Sequence, residues 1–355
     1  MDMGRIAYRC PATREALATG PDGLFRRDGA LYRFLPRAQA DSVPVPNFLD
    51  LAAAGDGQRA SLSMYDTATA TAVYRNFLDW LFATFGEDEA AWRRAMVARL
   101  ALRAGDAVLV TGCGLGDDIP PIMDAVGAGG EVHAQDLSPA MVQAAAGQWA
   151  RAGGMQPRFS VGDAARLPFA DGAFDAAFHF GGINLFDDIA GGIAEMARVV
   201  RPGGRVVLGD EGVAPWLRGT DYARMVIANI PLWGREAPIA LLPPTARQVR
   251  LDWILGNCFW VISFTAGEGL PPINPHVPHK GRRGGTMWTR HHGVLEGVTP
   301  ETRQRVESAA GAAGLSVHDW LEANLRARLA EAGDVQAGSA GDQPSSTAIP
   351  KPVRP

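Results

Sequence analysis

Five apolar runs of strand length punctuate residues 107–210: AVLVTG (107–112), EVHAQD (131–136), RFSVGD (158–163), FDAAFHF (174–180) and RVVLGD (205–210). Between them apolar residues recur at helical spacing in DDIPPIMDAV, SPAMVQAAAGQWA and DDIAGGIAEMARVV. Pro120 and Pro121 fall in the first turn of one predicted helix, where the ring removes no needed donor. Ser138 is placed to cap the next, with Pro139 at its first position. Strands alternating with helices predict right-handed crossovers and a mostly parallel sheet. Two later runs, VRLDWILGN and FWVISFTA, are joined so tightly that they read as an antiparallel pair closing the sheet edge.

The flanks follow other rules. Residues 1–40 alternate short apolar runs with turn signals around Gly23 and Asp28-Gly29, and predict a small β-rich module. A Pro- and Ala-rich connector runs from Pro36 to about Ala60. From Ser61 to Arg103 the period is helical, with Val73, Phe77, Leu78, Leu81 and Phe82 on one face and a second helix in EDEAAWRRAMVARLAL. WLRGTDYARMVIANI, after Pro215, is helical again. Residues 267–298 are rich in Gly, Pro and His and read as irregular. Residues 299–333 predict a helical hairpin, with a capping-box outline at Ser316 and Asp319. The polar, Pro-dotted tail 334–355 predicts disorder. The expected architecture is an α/β domain over 61–266, with a Rossmann-like, seven-stranded, mostly parallel sheet and an antiparallel last strand. A small N-terminal β module and a C-terminal helical pair flank it.

Composition narrows the function classes. With 47 % hydrophobic and 20 % charged residues, the chain supports a sizeable core and excludes global disorder. A net charge of −4 gives no general attraction to nucleic acid or anionic membrane. The three cysteines, Cys10, Cys113 and Cys258, are odd in number and far apart, against a disulfide framework and in keeping with a reducing cytoplasm. No signal core opens the sequence, and no apolar stretch of about 18 residues follows. A soluble cytoplasmic protein without a membrane span is expected.

The chemistry concentrates in VLVTGCGLGDD (108–118). Gly112, Gly114 and Gly116 follow a strand, as in a nucleotide-binding loop, but the spacing is G-x-G-x-G, and Asp117 stands where a dinucleotide fold has its third glycine. Asp117 and Asp118 would repel phosphate at a helix N-terminus. A phosphate-free cation, S-adenosylmethionine, suits such a mouth, with the glycines allowing close backbone approach. Asp136 ends the second strand, where a carboxylate can accept both ribose hydroxyls; Asp163 ends the third, near the adenine position. Leu137 and Ala164 accompany them.

VLVTGCGLGD, HAQDLSPAMV, VGDAARLPFADGAFDAAF and ARVVRPGGRVVLGD together resemble the class I S-adenosylmethionine-dependent methyltransferases, and most nearly their ubiquinone/menaquinone-biosynthesis type. The resemblance covers roughly residues 61–265 and implies S-adenosylmethionine as cofactor. It also implies a small, partly apolar acceptor (a quinone, phenol or polyketide-like compound) methylated on carbon or oxygen. FHFGGIN (178–184) is similar to the FG-x-RN element of quinone methyltransferases, with Ile183 in place of the arginine. YRCPATREALATGPDGLFRRDGALYRFLP resembles a Trm112-like module reduced to the single Cys10, and so implies a metal-free remnant.

Methyl transfer demands alignment and, for some acceptors, a base. His179, ending the fourth strand, is the candidate base, against the alternative of a packed strand histidine. Tyr65 is expected to close over the cofactor. Tyr74, Phe180, Asn184, Asp210 and Glu211 are candidates for the substrate side. His276, His279, His291 and His292 lack zinc-like spacing, with no carboxylate nearby until Glu296, and no metal is expected. Lys280, Arg282, Arg283 and Arg290 read as a solvated loop, or else as a site for an acidic substrate. No N/D-P-P-Y/W/F motif follows the fourth strand, against methylation of DNA bases, and the few cysteines argue against arsenite chemistry. The alternative is a catalytically silent methyltransferase fold serving as a regulatory or partner-binding module. The apolar face of the C-terminal hairpin (Val306, Leu315, Val317, Trp320, Leu321, Leu325) is a candidate homodimer surface.

Overall fold

The computed structural model describes residues 5–37, 43–52, 54–67, 69–152, 154–280, 285–293, 295 and 298–336. A three-stranded antiparallel sheet comes first, of β1 (Ala18–Thr19), β2 (Gly23–Phe25) and β3 (Leu31–Arg33). Three helices follow, α1 (Asp56–Tyr65), α2 (Ala70–Phe85) and α3 (Glu89–Ala98). The alternating region gives β4 (Ala107–Thr111), α4 (Ile119–Val126), β5 (Glu131–Asp136), α5 (Pro139–Ala152), β6 (Arg158–Val161), β7 (Phe174–Phe180), α6 (Ile189–Val199) and β8 (Val200–Glu211). Then come α7 (Asp221–Asn229), β9 (Ala246–Ile254) and β10 (Phe259–Ala266). Ser138 caps α5 as expected, its Oγ accepting the Met141 N–H at 3.2 Å.

The seven-stranded sheet has the order β6-β5-β4-β7-β8-β10-β9. The pairs from β6 to β8 are parallel. β10, the last strand in the chain, is antiparallel to both β8 and β9. It is therefore inserted one position inside the edge, and β9 runs with the parallel set. The strand order reverses direction between β4 and β7, so a crevice opens at the carboxyl ends of β4, β5 and β7, where ligands of open α/β sheets bind.

Both faces of the sheet are buried, which is why its strands are almost continuously apolar. Val108, Val110, Val132, Ala134, Phe178 and Val207 pack one face with residues of α2 to α5. Ala107, Leu109, Ala177, Val206 and Leu208 pack the other with Ile193 and Met196 of α6. Tyr8 and Leu24 of the N-terminal module belong to this second core. Beyond β6, residues 46–48 extend the sheet: Asn47 bridges Val161 in parallel, and Phe48 N–H donates to the Val161 carbonyl at 2.8 Å. Arg14 reaches the buried Glu195 at 2.9 Å. Residues 1–271 are one compact unit. The module is thus built into the domain, because its strands are too short to bury a core alone. Cys10 is buried, 3.2 Å from the Tyr32 hydroxyl, with its sulfur accepting Thr13 N–H. Among the described residues no group of three His, Cys, Asp or Glu side chains could hold a metal ion.

Glu131 ties the module to the sheet. It accepts Arg5 N–H at 2.8 Å and His133 Nε2–H at 2.9 Å, and Arg158 lies 3.4 Å away. Burial alone would raise its pKa; the His133 and Arg5 donors outweigh that and hold it at about 2. Burial lowers the pKa of His133 in turn, and the Glu131 carboxylate opposes that fall. The depressed pKa stabilises the fold above the ordinary glutamate range, and that stability is lost as pH falls through the folded value. Glu131→Gln should lower the unfolding free energy at pH 7 by about 1–2 kcal/mol. In urea titrations its gap from wild type should close as pH falls toward about 2. A pH-independent gap would refute this account.

Residues 272–355 form a second unit. It carries α8 (Met287–His292), α9 (Pro300–Ala312) and α10 (Val317–Gln336). α8 lies in the stretch expected to be irregular; Thr286 and Thr289 form a capping box there, and the Trp288 ring meets those of His276 and His292 at a tilt, 5.2 and 4.0 Å away. At α10, Ser316 Oγ accepts Asp319 N–H, but Asp319 bonds back to the serine side chain instead of its backbone. α10 runs three residues past the expected end at 333, and residues 337–355 of the predicted disordered tail lie outside the described residues. Arg282, Arg283 and Glu296 lie outside them as well. No helix among the described residues is long and apolar enough to cross a membrane.

Candidate active site

The loop after β4 is shaped by its glycines. Gly112, Gly114 and Gly116 have φ of +60°, +52° and +83°, a region that side chains with a Cβ rarely occupy. Gly112 is the most constrained: a Cβ there would sit 2.8 Å from His179 Cε1. Asp136, ending β5, draws the loop in. One carboxylate oxygen accepts Gly114 N–H at 2.8 Å and the other accepts Ser138 N–H at 2.9 Å. Burial raises its pKa, and these donors oppose the rise. Each oxygen keeps a second lone pair, so paired hydroxyls can still be accepted.

Asp117 and Asp118 do not face the crevice as free charges. Arg93 of α3 binds Asp118 at 2.7 Å and lies 3.7 Å from Asp117, while Arg75 of α2 lies 3.6 Å from Asp117. Glu89 joins both arginines. This corrects the expectation that the acid pair selects a cationic ligand, since two arginines from distant segments offset it. The pair instead docks α2 and α3 onto the loop.

Asp163 bonds within its own turn, accepting Ala165 N–H at 2.8 Å and pairing with Arg166 at 3.2 Å. It contributes shape to the wall beside Ala164 and Leu137 more than a free carboxylate. His179 is fully buried, and its Nδ1 donates to the Thr111 carbonyl at 2.9 Å. That bond leaves Nε2 as an acceptor, and burial lowers the pKa to about 4. The ring is therefore neutral and a weak base, unlike the base considered from sequence. Asp210 is buried, its oxygens accepting Asn184 N–H at 2.7 Å and Glu211 N–H at 2.8 Å. Asn184 in turn donates from Nδ2 to the Glu211 carbonyl at 2.8 Å. Asp210 and Asn184 thus brace the short 3-10 turn at Ile183–Leu185, and Ile183 points into the core.

One cavity of about 480 Å³ joins these elements. Gly112, Gly114, Asp136, Leu137, Asp163 and Ala164 line one end; Phe77, Phe82, Trp92, Phe180, Glu211 and Phe259 line the other. Tyr65 and Tyr74 also line it, and Tyr74 stands 3.7 Å from a Cβ built at Gly114. α1, which carries Tyr65, is fixed at both ends by carboxylates at helix N-termini. Asp187 accepts Gly57 and Gln58 N–H at 2.7 and 3.0 Å, and Asp66 accepts Ala140 N–H of α5 at 2.8 Å. All the cofactor candidates except Gly116 line the cavity; of the substrate and catalytic candidates, only Asp210 turns away from it. The sequence reading missed Gln58, Gln135, Arg93, Trp92 and Phe259, because they come from helices and strands distant in the chain. The aromatic density of α2, α3 and β10 was the available signal.

S-adenosylmethionine fits this chemistry on a separate observation. Gln135 Nε2 and Oε1 and His179 Nε2 are buried in the wall without hydrogen-bond partners, as a polar ligand would leave them when absent.

Residues 108–204 match the family model described as a methyltransferase domain. A demethylmenaquinone methyltransferase of Beutenbergia cavernae is 39 % identical over 125 residues, covering 35 % of this chain and 49 % of that protein. One from Thermus thermophilus is 38 % identical over 125 residues, 35 % of this chain and 56 % of that protein. The chain spans about half the length of the curated relatives it matches. Phosphoethanolamine N-methyltransferase 2 of Haemonchus contortus, solved with S-adenosylmethionine, aligns at 14 % identity with a TM-score of 0.48, over 63 % of this chain and 62 % of that one. The matched segment spans β4 to β7 and the start of β8, the parallel part of the sheet that carries the glycine loop and Asp136.

Proposed function

We propose that this chain transfers a methyl group from S-adenosylmethionine to carbon or oxygen of a small, partly apolar acceptor of quinol, phenol or polyketide-like chemistry. The observation that carries this reading is the single cavity running from the glycine loop and Asp136 to an aromatic end at Phe180, Trp92 and Phe259. The bound cofactor supplies an electrophilic methyl on a sulfonium and leaves as S-adenosylhomocysteine. Gly112, Gly114, Asp136 and Gln135 would hold it by backbone approach and hydrogen bonds. Leu137 and Ala164 would flank its adenine, and Tyr65 would close over it.

At the other end, rings stack on a planar acceptor, each contact contributing about 0.5–1.5 kcal/mol beyond area burial. Among the described residues Arg93 is the only Lys or Arg lining the cavity, and it is already paired with Asp118 and Glu89. That favours a neutral acceptor over an anionic one. The names of the curated relatives support a quinol within this class.

Two measurements test the reading: calorimetric titration with S-adenosylmethionine and with NADH, and transfer of labelled methyl to demethylmenaquinol, 1-naphthol and a hydroxylated polyketide. Binding of S-adenosylmethionine alone together with labelled product supports it. Binding of NADH in its place, or bound cofactor with no labelled product from any acceptor, counts against it.

A further inference from the structure

Glu211 ends β8, and alternation along the strand sends it and Asp210 to opposite faces. Asp210 is committed to bracing the turn at Ile183–Leu185, whereas Glu211 lines the cavity. Its walls are aromatic. Phe180 and Phe259 stack at 5.9 Å, Trp92 meets Phe180 edge-on at 4.5 Å, and Trp233 backs Phe259 at 5.7 Å. Gly209 makes room for this arrangement, since a Cβ there would sit 2.7 Å from the Phe180 ring. No ion pair among the described residues neutralises Glu211; the one arginine of the cavity is spent on Asp118 and Glu89. A carboxylate held against rings, without a cation, at the acceptor end of a cavity whose other end suits the methyl donor, is placed to take a proton from whatever fills that end.

We propose that Glu211 is the general base of the reaction, accepting the proton of a phenolic or enolic hydroxyl on a planar acceptor held against Phe180, Phe259 and Trp92. This rests on the methyl-transfer reading above. The hydroxyl proton passes to a Glu211 carboxylate oxygen. The freed electron pair, on oxygen or delocalised to the ring carbon beside it, forms the bond to the methyl as the S–CH3 bond breaks, leaving its pair on sulfur. Where carbon is methylated, the ring proton then moves to the oxygen by tautomerisation. Glu211 returns its own proton to water between turnovers.

The surroundings suit a base stronger than an ordinary carboxylate. Burial raises the Glu211 pKa first, and the neighbouring charge of Asp210 raises it further, with the Trp233 indole opposing weakly. The other titratable or charged groups lining the cavity are Tyr65 from α1, Tyr74 from α2, Arg93 from α3, Asp136 from β5, His179 from β7, and Asp163 and Asp187 from the turns after β6 and before α6. Of these, Tyr65 has its own pKa raised by burial and then by the charges of Glu211, Asp210 and Asp136. A raised carboxyl pKa lies nearer that of a phenol, about 10, and narrows the uphill proton transfer. Since the ionised form is the active one, kcat should climb as pH rises through the raised value.

The test uses the full chain with S-adenosylmethionine, as wild type, Glu211→Gln and Glu211→Asp. With demethylmenaquinol as acceptor, Glu211→Gln should lose roughly 10²–10³-fold in kcat, in the range for removal of a general base. Its KM for S-adenosylmethionine should be unchanged, and the ascending limb of the pH profile should vanish. Glu211→Asp should keep the limb at reduced rate. Independently of turnover, 2-naphthol binding to the S-adenosylhomocysteine complex, followed by fluorescence, should weaken about tenfold in Glu211→Gln through loss of a charge-assisted hydrogen bond. If wild type methylates no acceptor, the methyl-transfer reading falls and the base role falls with it; naphthol binding that still depends on Glu211 then shows only that the carboxylate meets the acceptor hydroxyl. Equal naphthol binding by the two proteins, or a Glu211→Gln variant with wild-type kcat and pH limb, overturns the inference.

Discussion

Asp136→Ala should abolish measurable S-adenosylmethionine binding in calorimetry, a loss of roughly 10²–10³-fold for two hydrogen bonds to a charged acceptor. Two effects combine. The variant removes a carboxylate with free lone pairs for paired ribose hydroxyls, and it frees Gly114 N–H and Ser138 N–H from the oxygens that now hold them. The glycine loop then loses its tie to the turn after β5, and the cofactor loses a preformed backbone surface. Asp136→Asn separates the contributions. It keeps an oxygen for one main-chain donor and lacks the second acceptor, so it should bind at an intermediate level. Binding by Asp136→Ala within about threefold of wild type would remove Asp136 from the cofactor site. The raised pKa of Asp136 adds a sign: its ionised form is the acceptor, so affinity should fall as pH drops toward and through that value.

Gly112→Ala should be the most damaging single methyl group in the loop. Left-handed backbone costs an alanine roughly 1–2 kcal/mol, and here the added carbon would meet His179 Cε1 at 2.8 Å. His179 cannot easily yield, because its Nδ1 is fixed on the Thr111 carbonyl and Phe186 packs edge-on at 5.3 Å. A total loss of about 2–4 kcal/mol in urea unfolding is expected, together with loss of cofactor binding. Gly114→Ala is the control. Its backbone strain is similar, but the nearest atom is 3.7 Å away on Tyr74, so it should cost about half as much. Adding His179→Ala to Gly112→Ala should recover part of the stability by opening the space. Equal losses for Gly112→Ala and Gly114→Ala would show that backbone strain, not the approach to His179, governs the loop.

These expectations depend unequally on what could be read along the chain. Continuous apolar runs of strand length, set between stretches of helical period, located the strands and helices of the sheet, because burial on both faces makes such strands apolar throughout and burial of one face gives each helix its period. The short β9–β10 connection marked the antiparallel pair, because parallel neighbours need a long crossover. Gly112, Gly114 and Gly116 and the strand-end acid Asp136 were legible because a close backbone approach and a strand terminus each leave a local mark.

Other features left no such mark. Asp117 and Asp118 looked like free charges until Arg75 and Arg93 arrived from helices packed against the loop. His179, Asp210 and Glu211 are strand-end residues of like appearance in the sequence, yet the sheet gives them different surroundings: a carbonyl for His179, two backbone donors for Asp210, and an aromatic wall without a cation for Glu211. Periodicity records which face of an element is buried, so the sequence by itself determined the elements, the sheet and the glycine loop. What each buried polar group faces depends on segments that meet only in the folded chain, and the ionisation and role of these side chains were therefore decided by tertiary structure alone.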